Sequence, residues 1–293
     1  MNKIITGFVL LAFCLSIATT DAKRKKKPRY MPFSMVHNMA TDIASAVTAT
    51  KTKLEANGFT LLGEYSTLEN VVIIVITNDE LLKVASSTEF GGYGAVIRVA
   101  VTKTDSGIQV SHVNPVYMSF AYQMKSLAGV VASLESALGK AENFGSKKGL
   151  TERSLKGYQY MMMMPYFEDH HKMGSFDNHA DALQAVNKNL ASGSLPLTKV
   201  FEVKIPGKDE VLIGVGIKEG DGADSFIMKS IDKEDKKHSA HLPYGVLISG
   251  GKVYSQAGEF RIALSFPDLS MGQFMDIMDA PDGIKDSLSA LAK

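Results

Sequence analysis

Residues 93–115, YGAVIRVAVTKTDSGIQVSHVNP, decide the fold because a second stretch of the chain repeats their pattern. Residues 244–267, YGVLISGGKVYSQAGEFRIALSFP, also open with Tyr-Gly and close with proline, with one residue of slippage. Gly107 and Gly258 stand at the same distance from the opening tyrosine, at the predicted turn. A pattern that recurs within one chain indicates an internal repeat. We therefore expect two copies of one domain, aligned from tyrosine to tyrosine.

The flanking segments extend the repeat in both directions. Upstream, the helical pattern of residues 41–59 (TDIASAVTATKTKLEANGF) matches that of residues 178–195 (NHADALQAVNKNLASGSL). Downstream, each copy closes with a helix of one type, SLESALGK at 133–140 and DSLSALAK at 286–293. The match therefore covers most of each half.

Apolar spacing predicts the elements within each copy. In the first copy strands are predicted at 33–38, 59–65, 71–77, 95–103 and 108–113, with a short helical crossing at 78–87. In the second copy strands are predicted at 158–164, 198–205, 210–217, 244–249 and 259–266. The order β-α-β-β-β-β-α in both copies predicts an α+β fold of two similar domains, each an antiparallel sheet with helices on one face.

Five segments make up the predicted organisation of the 293 residues. They are a signal peptide (1–22), a basic tail (23–32), a first domain (33–140), a polar linker (141–157) and a second, divergent domain (158–293).

The N-terminus has the features of a secretory signal. Lys3 precedes an apolar run at 4–18, which is short for a membrane span of roughly 20 residues, and small residues end at Ala22. We therefore expect a periplasmic or secreted mature chain. Because Cys14 is the only cysteine, that chain has no disulfide and no thiolate metal site. A retained N-terminal membrane anchor is the alternative, since basic residues follow the apolar run.

Those basic residues are candidates for contact with an anionic surface. They are Lys23, Arg24, Lys25, Lys26, Lys27 and Arg29.

Residues 77–118 resemble the bacterial domain of unknown function 302. The similarity lies in Gly58-Phe59 after the first helix, in the valine-rich hairpin, and in Asn114-Pro115 after its last strand. The second copy is more remote, with Phe266-Pro267 in place of Asn-Pro. The resemblance implies a compact α/β domain that often pairs with a second copy, and it implies no reaction and no catalytic residues.

Residues 161–173, MMMMPYFEDHHKM, combine five methionines with two histidines. One interpretation is a buried first strand of the second copy, in which alternate methionines pack into the core. The other is a Cu(I) site, because thioether and imidazole groups suit this soft ion. The candidate metal ligands are Met161, Met163, His170, His171, Met173, His179, His238 and His241.

Other motifs carry less information. His112 falls on the apolar face of its predicted strand, which favours packing over metal binding. Gly214-Val215-Gly216 follows a strand as in dinucleotide-binding loops, but its spacing and the acidic segment after it argue against that function. No serine, histidine and acid form a recognised catalytic order.

The sequence favours an exported, non-enzymatic binding or accessory protein. Its small ligand or envelope partner is expected near the junction of the two sheets. A periplasmic Met/His copper-binding protein is the alternative, and an enzyme with an unrecognised site is the second alternative. No catalytic residue is nominated, and no cofactor is expected unless the alternative of copper binding holds. Homodimer formation is left as an alternative. Nucleic acid is excluded as a partner because the exported chain has a net charge of only +1.

Overall fold

Two antiparallel sheets with helices form the chain, which confirms the predicted α+β class. A computed structural model describes residues 27–36 and 42–293. The predicted signal peptide and the first part of the basic tail lie outside the described residues. No helix in the described ranges has the length and apolar character needed to cross a membrane.

The first half contains a six-stranded sheet in the order β2-β3-β4-β5-β1-β6. Its elements are β1 (Phe33–Val36), α1 (Ile43–Ala56), β2 (Thr60–Tyr65), β3 (Val71–Thr77), α2 (Asp79–Ser86), a first 3₁₀ helix (Gly91–Gly94), β4 (Ile97–Thr104), β5 (Gly107–Val113), α3 (Pro115–Ala121), α4 (Ala128–Leu138), β6 (Ala141–Phe144) and α5 (Glu152–Lys156).

The second half contains a five-stranded sheet in the order β7-β11-β10-β9-β8. Its elements are β7 (His171–Ser175), α6 (His179–Ala191), β8 (Leu197–Lys204), β9 (Glu210–Ile217), α7 (Asp224–Ile231), a second 3₁₀ helix (Ser239–His241), β10 (Tyr244–Ser249), β11 (Lys252–Ser255), α8 (Gly258–Ser265), α9 (Met271–Met275), α10 (Ala280–Ser289) and a last 3₁₀ turn (Ala290–Ala292). Element order and strand order both repeat those of the first half, and β6 is the one extra strand of the first sheet.

The central strands β3 and β9 are buried on both faces, which explains their continuous apolar sequences. In the first half α1 covers one face of β4 and β5. The other face is covered by the second 3₁₀ helix, from the opposite half: Thr102 of β4 donates a hydrogen bond to Ser239 at 3.1 Å. The first 3₁₀ helix packs on β9 and β10 in the same way. Each half therefore closes the other's sheet.

The two sheets also meet edge to edge along β2 and β8. Both strands carry a register shift at the equivalent place, between Leu61 and Gly63 and between Lys199 and Phe201. A Cβ on Gly63 would overlap the carbonyl oxygen of Val200. Glycine is therefore required for this close approach of the two backbones.

Three of the predicted details are wrong. Tyr93 lies in a 3₁₀ helix, whereas Tyr244 begins β10, so the two tyrosines are not equivalent. The strand pairings show which residue is: Ile97 pairs with Ile76 in the first sheet as Tyr244 pairs with Val215 in the second. Residues 259–266, predicted as a strand, lie in and just after helix α8. Residues 141–157 are not only a linker, because β6 pairs with β1 at the sheet edge and α5 follows it.

Candidate functional site

A cavity of about 550 Å³ lies between the two halves. Its volume falls within the range of small-molecule sites, which is ~300–1,000 Å³. The first half supplies the loop after β6, and the second half supplies the loops after α7 and α8. The lining residues are Met31, Asn143, Phe144, Gly145, Ser146, Lys147, Ile231, Glu234, Asp235, Lys236, His238, Phe266, Asp268, Leu269, Ser270 and Gln273.

His238 is held in this wall by aromatic side chains from both halves. Its ring centroid lies 4.8 Å from that of Phe266, 5.6 Å from that of Phe144 and 5.3 Å from that of Phe33. Phe33 and Phe144 also pack on each other, because they are opposite each other in the β1–β6 pair. The imidazole is therefore fixed on an apolar surface.

Asp232 fixes the orientation and tautomer of the His238 ring. One carboxylate oxygen lies 2.9 Å from His238 Nδ1, and the other accepts the His238 backbone N–H at 2.9 Å. Both side chains are buried. Because the carboxylate accepts, Nδ1 carries a proton, and in the neutral ring Nε2 is an acceptor. The cavity thus contains one oriented hydrogen-bonding nitrogen on an apolar wall.

Gly145 lies directly in front of that nitrogen. It adopts φ +96°, a conformation that favours glycine, and a Cβ there would lie 3.1 Å from His238 Nε2 and 2.8 Å from a ring carbon of Pro32. The missing side chain therefore keeps His238 Nε2 accessible.

Charged groups join the two halves at the rim. Lys236 Nζ lies 2.7 Å from Glu142 Oε1, which connects the loop after α7 with β6. Asp268 accepts a hydrogen bond from the backbone N–H of Lys147, and the Ser146 hydroxyl lies 3.4 Å from the same carboxylate. These contacts connect the two sides of the cavity entrance, one from each half.

A second buried polar cluster lies beside this site. His241 Nδ1 is 2.9 Å from Ser265 Oγ and 3.1 Å from Arg261 Nη1, and its Nε2 is 3.1 Å from Tyr244 Oη. Burial and the neighbouring Arg261 and Arg98 hold the pKa of His241 well below its usual range. His241 is therefore neutral, accepts through Nδ1 and donates through Nε2.

The methionine run does not form the predicted buried strand. Residues 161–164 lie in a turn, where Met162 and Met163 are 87% and 93% exposed and Met163 adopts φ +71°. The first strand of the second half is instead β7, ten residues later, and it begins at His171. The interpretation of Met161 to Met164 as core strand is wrong.

The eight candidate metal ligands are spread over several elements. Met161 and Met163 are in the turn, His171 and Met173 are on β7, and His179 begins α6. His238 and His241 instead bind Asp232 and Ser265, as described above. No group of three or more His, Cys, Asp or Glu side chains in the described ranges is arranged to hold a metal ion. Copper binding through the methionines stays a prediction.

His170 packs within an aromatic cluster. Its ring stacks on Phe90 at 4.1 Å and on Tyr93 at 5.3 Å between centroids. Burial lowers the pKa of His170 to about 4. His112 is also buried, with Nδ1 2.9 Å from the carbonyl oxygen of Val113, which agrees with its assignment to packing.

The glycines of β9 have a packing function. A Cβ on Gly214 would overlap the ring of Phe201, and a Cβ on Gly216 would overlap the ring of Tyr65 from the first half. The Gly-Val-Gly segment therefore makes room for aromatic rings.

Sequence reasoning missed Asp232, Phe144 and the two buried arginines Arg98 and Arg261. Asp232 was hidden in the charged run DKEDKK, where only the fold distinguishes the one buried acid. The arginines could have been found from the sequence, because each is the single charge in an otherwise apolar stretch, VIRVAV (96–101) and FRIAL (260–264).

No protein-family model, curated protein or solved structure matches the chain. The resemblance to domain of unknown function 302 stays a prediction.

Proposed function

We propose that the protein binds a small, mostly apolar molecule in the cavity between its halves. The observation that carries the proposal is the oriented His238 Nε2 on an aromatic wall built by both halves. The cavity lies between the two halves, but beside β6, at the opposite edge of the first sheet from β2, so the proposed site differs from the one expected at the junction of the two sheets. Export remains part of the proposal and rests on residues 1–22 alone.

The chemistry of the wall defines the ligand class. Phe144, Phe266 and Leu269 offer apolar contact, while Nε2 of a neutral His238 ring offers one hydrogen-bond acceptor. A flat aromatic ring with one N–H or O–H group satisfies both features. The mixed acids and lysines at the rim favour a neutral ligand over a strongly charged one.

Indole and 1-methylindole are matched probes of this proposal. They share the aromatic surface, but only indole has an N–H to donate to His238. Because one neutral hydrogen bond contributes about 1 kcal/mol, we expect indole to bind roughly five- to tenfold more tightly by ligand-observed NMR or calorimetry. Equal affinity of the two probes, or no saturable binding of either, would contradict the proposal.

Two glycine variants distinguish the effect of blocking the cavity from the effect of backbone strain at a positive φ. Gly145→Ala places a methyl group in front of His238 Nε2, whereas Gly139→Ala has a similar φ of +94° and no neighbour within 4 Å. We expect Gly145→Ala to abolish indole binding and Gly139→Ala to retain it. Loss in both variants would point to strain.

The Asp232–His238 pair favours a second candidate, an enzyme with His238 as general base. A buried acid that orients a histidine toward a cavity is typical of that role. Neither serine of the cavity is bonded to His238: Ser270 caps α9 and Ser146 accepts from the N–H of Gly149. The base would therefore act on water or on a substrate proton. Turnover of a bound small molecule by wild type and not by His238→Gln would select this candidate.

A further inference from the structure

Arg98 and Arg261 are two buried arginines that line one small cavity of about 20 Å³. Arg98 comes from β4 of the first half and Arg261 from α8 of the second, and they are 4% and 5% exposed. The remaining walls are Tyr117, Met118 and Tyr122 from α3 and its C-terminus, and Leu264 and Ser265 from the end of α8, with Pro32, Phe33 and Val113. The cavity therefore lies where the equivalent helices of the two halves meet.

Only part of the donor capacity of the two guanidinium groups is used. Arg98 Nε donates to the carbonyl oxygen of Pro243 at 3.1 Å, and its two terminal nitrogens donate to no described residue. Arg261 donates to Ser265 Oγ at 2.7 Å, to the carbonyl oxygen of His241 and to His241 Nδ1. Its Nε has no partner among the described residues. None of these three nitrogens is completely shielded from a water-sized probe, and a hydrogen-bond acceptor in the cavity would satisfy them.

No carboxylate in the described ranges forms an ion pair with either arginine. The buried acids of the second half have other partners: Asp224 accepts from Tyr65, Asp232 accepts from His238, and Glu210 accepts from Ser249. The neutral His241 adds no negative charge. Two like charges therefore share a buried site without a counter-charge, an arrangement that is strongly unfavourable on its own.

Arg98 stays charged at neutral pH. Burial and the neighbouring Arg261 lower the pKa of Arg98 only to about 9. Deprotonation of Arg98 therefore does not relieve the repulsion at neutral pH, whereas a bound anion does.

We propose that a monatomic anion of halide size, chloride in ordinary media, is bound between Arg98 and Arg261. A volume of about 20 Å³ holds one water-sized particle. Phosphate and carboxylate groups are larger, so they do not fit without movement of α3 against α8. The ion neutralises the pair and joins the two halves, which makes it a structural ligand distinct from the molecule expected in the larger cavity.

Thermal unfolding of the full chain in sodium chloride and in sodium gluconate at equal ionic strength tests the proposal. Gluconate is too large to enter. Above the dissociation constant, each tenfold increase in chloride raises the folding equilibrium constant by up to tenfold, provided that the unfolded chain does not bind it. We expect this dependence in wild type and in Arg153→Met, which removes an exposed arginine, and we expect its loss in Arg98→Met. A response to chloride that equals the response to gluconate would overturn the proposal.

Bromide gives a readout that does not depend on whether the Arg98 variant folds. Crystals of the wild-type protein soaked in sodium bromide should show an anomalous peak within hydrogen-bonding distance of both guanidinium groups. A peak there supports the assignment. A cavity that contains only water, or a bromide found only on the surface, rejects it.

Discussion

At the scale of single residues, Asp224 is a buried acid that connects the halves. One of its oxygens accepts from Tyr65 Oη of the first half at 2.5 Å and from the N–H of Ile217 at 3.0 Å, and the other has no partner among the described residues. Burial raises the pKa of Asp224 to about 7, against an ordinary value of 3.8. The folded protein therefore binds this proton more tightly than the unfolded chain does.

This shift predicts the direction of a pH effect on stability. The contribution of Asp224 is fully present below pH 3.8 and is lost as the pH rises to about 7, by up to about 1.4 kcal/mol per pH unit. Asp224→Asn does not titrate. The free energy of unfolding of the variant, minus that of wild type, should therefore rise between pH 4 and 7 and then level off.

Chemical denaturation of both proteins at several pH values measures that difference. The comparison is needed because buried histidines act in the opposite sense. The pKa of His170 is lowered to about 4, so its contribution is lost as the pH falls from 6.5. Both proteins contain His170, so its effect cancels. A difference that does not change with pH would contradict the assignment.

The left-handed backbone conformation of the exposed Met163 predicts how substitutions at this position change stability. Its φ of +71° is unfavourable for a side chain with a Cβ. Met163→Gly should therefore be neutral or stabilising by up to about 1 kcal/mol, and Met163→Val should be destabilising. The control Met162→Ala should stay within about 0.5 kcal/mol of wild type in urea denaturation, since the side chain is exposed. A loss of more than about 2 kcal/mol in Met163→Gly would restore the buried-strand interpretation.

At the scale of elements, the contact between β2 and β8 depends on Gly63. Gly63→Ala brings a methyl group against the backbone of Val200, so one of the two edges must move. We expect a loss on the order of 3 kcal/mol in unfolding free energy, in the range of severe single substitutions. Gly157→Ala is the matched control, with negative φ and open space around it, and should be nearly neutral. Equal losses of unfolding free energy in both variants would show that the contact between β2 and β8 does not depend on Gly63.

The sequence predicted those elements whose apolar pattern matches the way they are buried in the fold. Continuous apolar runs gave β3 and β9, and the upstream helices α1 and α6 fell where the repeat placed them. Residues 259–266 failed because α8 is buried nearly all round, so its alternating apolar residues fit a strand equally well. The strand β7 was missed because HKMGS is a short edge strand with little apolar signal.

The site was less predictable than the fold. Its wall combines segments that are far apart in sequence, such as residues 143–147 and 234–238. No local sequence pattern predicts that these segments are in contact. The sequence nominates His238 and His241 as metal ligands, but their hydrogen-bond partners Asp232 and Ser265 depend on the path of the loop that precedes β10. Long-range contacts of this kind carry no periodic signature.

At the scale of the whole molecule, the repeated halves share one core. Buried residues from both form a single hydrophobic cluster, and each 3₁₀ helix packs on the other half's sheet. We therefore expect one cooperative thermal transition, with equal calorimetric and van't Hoff enthalpies. Residues 158–293 expressed alone should lack a sharp transition. Two separate transitions, or an independently folded half, would show that the interlocking contributes little.

The central claim is that the cavity between the halves holds a small molecule against His238. Native mass spectrometry of the protein purified from its own cells tests this claim most directly, with Gly145→Ala and Gly139→Ala produced in the same way. We expect one bound small molecule per chain in wild type and in Gly139→Ala, and a chain without a bound molecule in Gly145→Ala. A bare wild-type chain, or a molecule retained in Gly145→Ala, would contradict it.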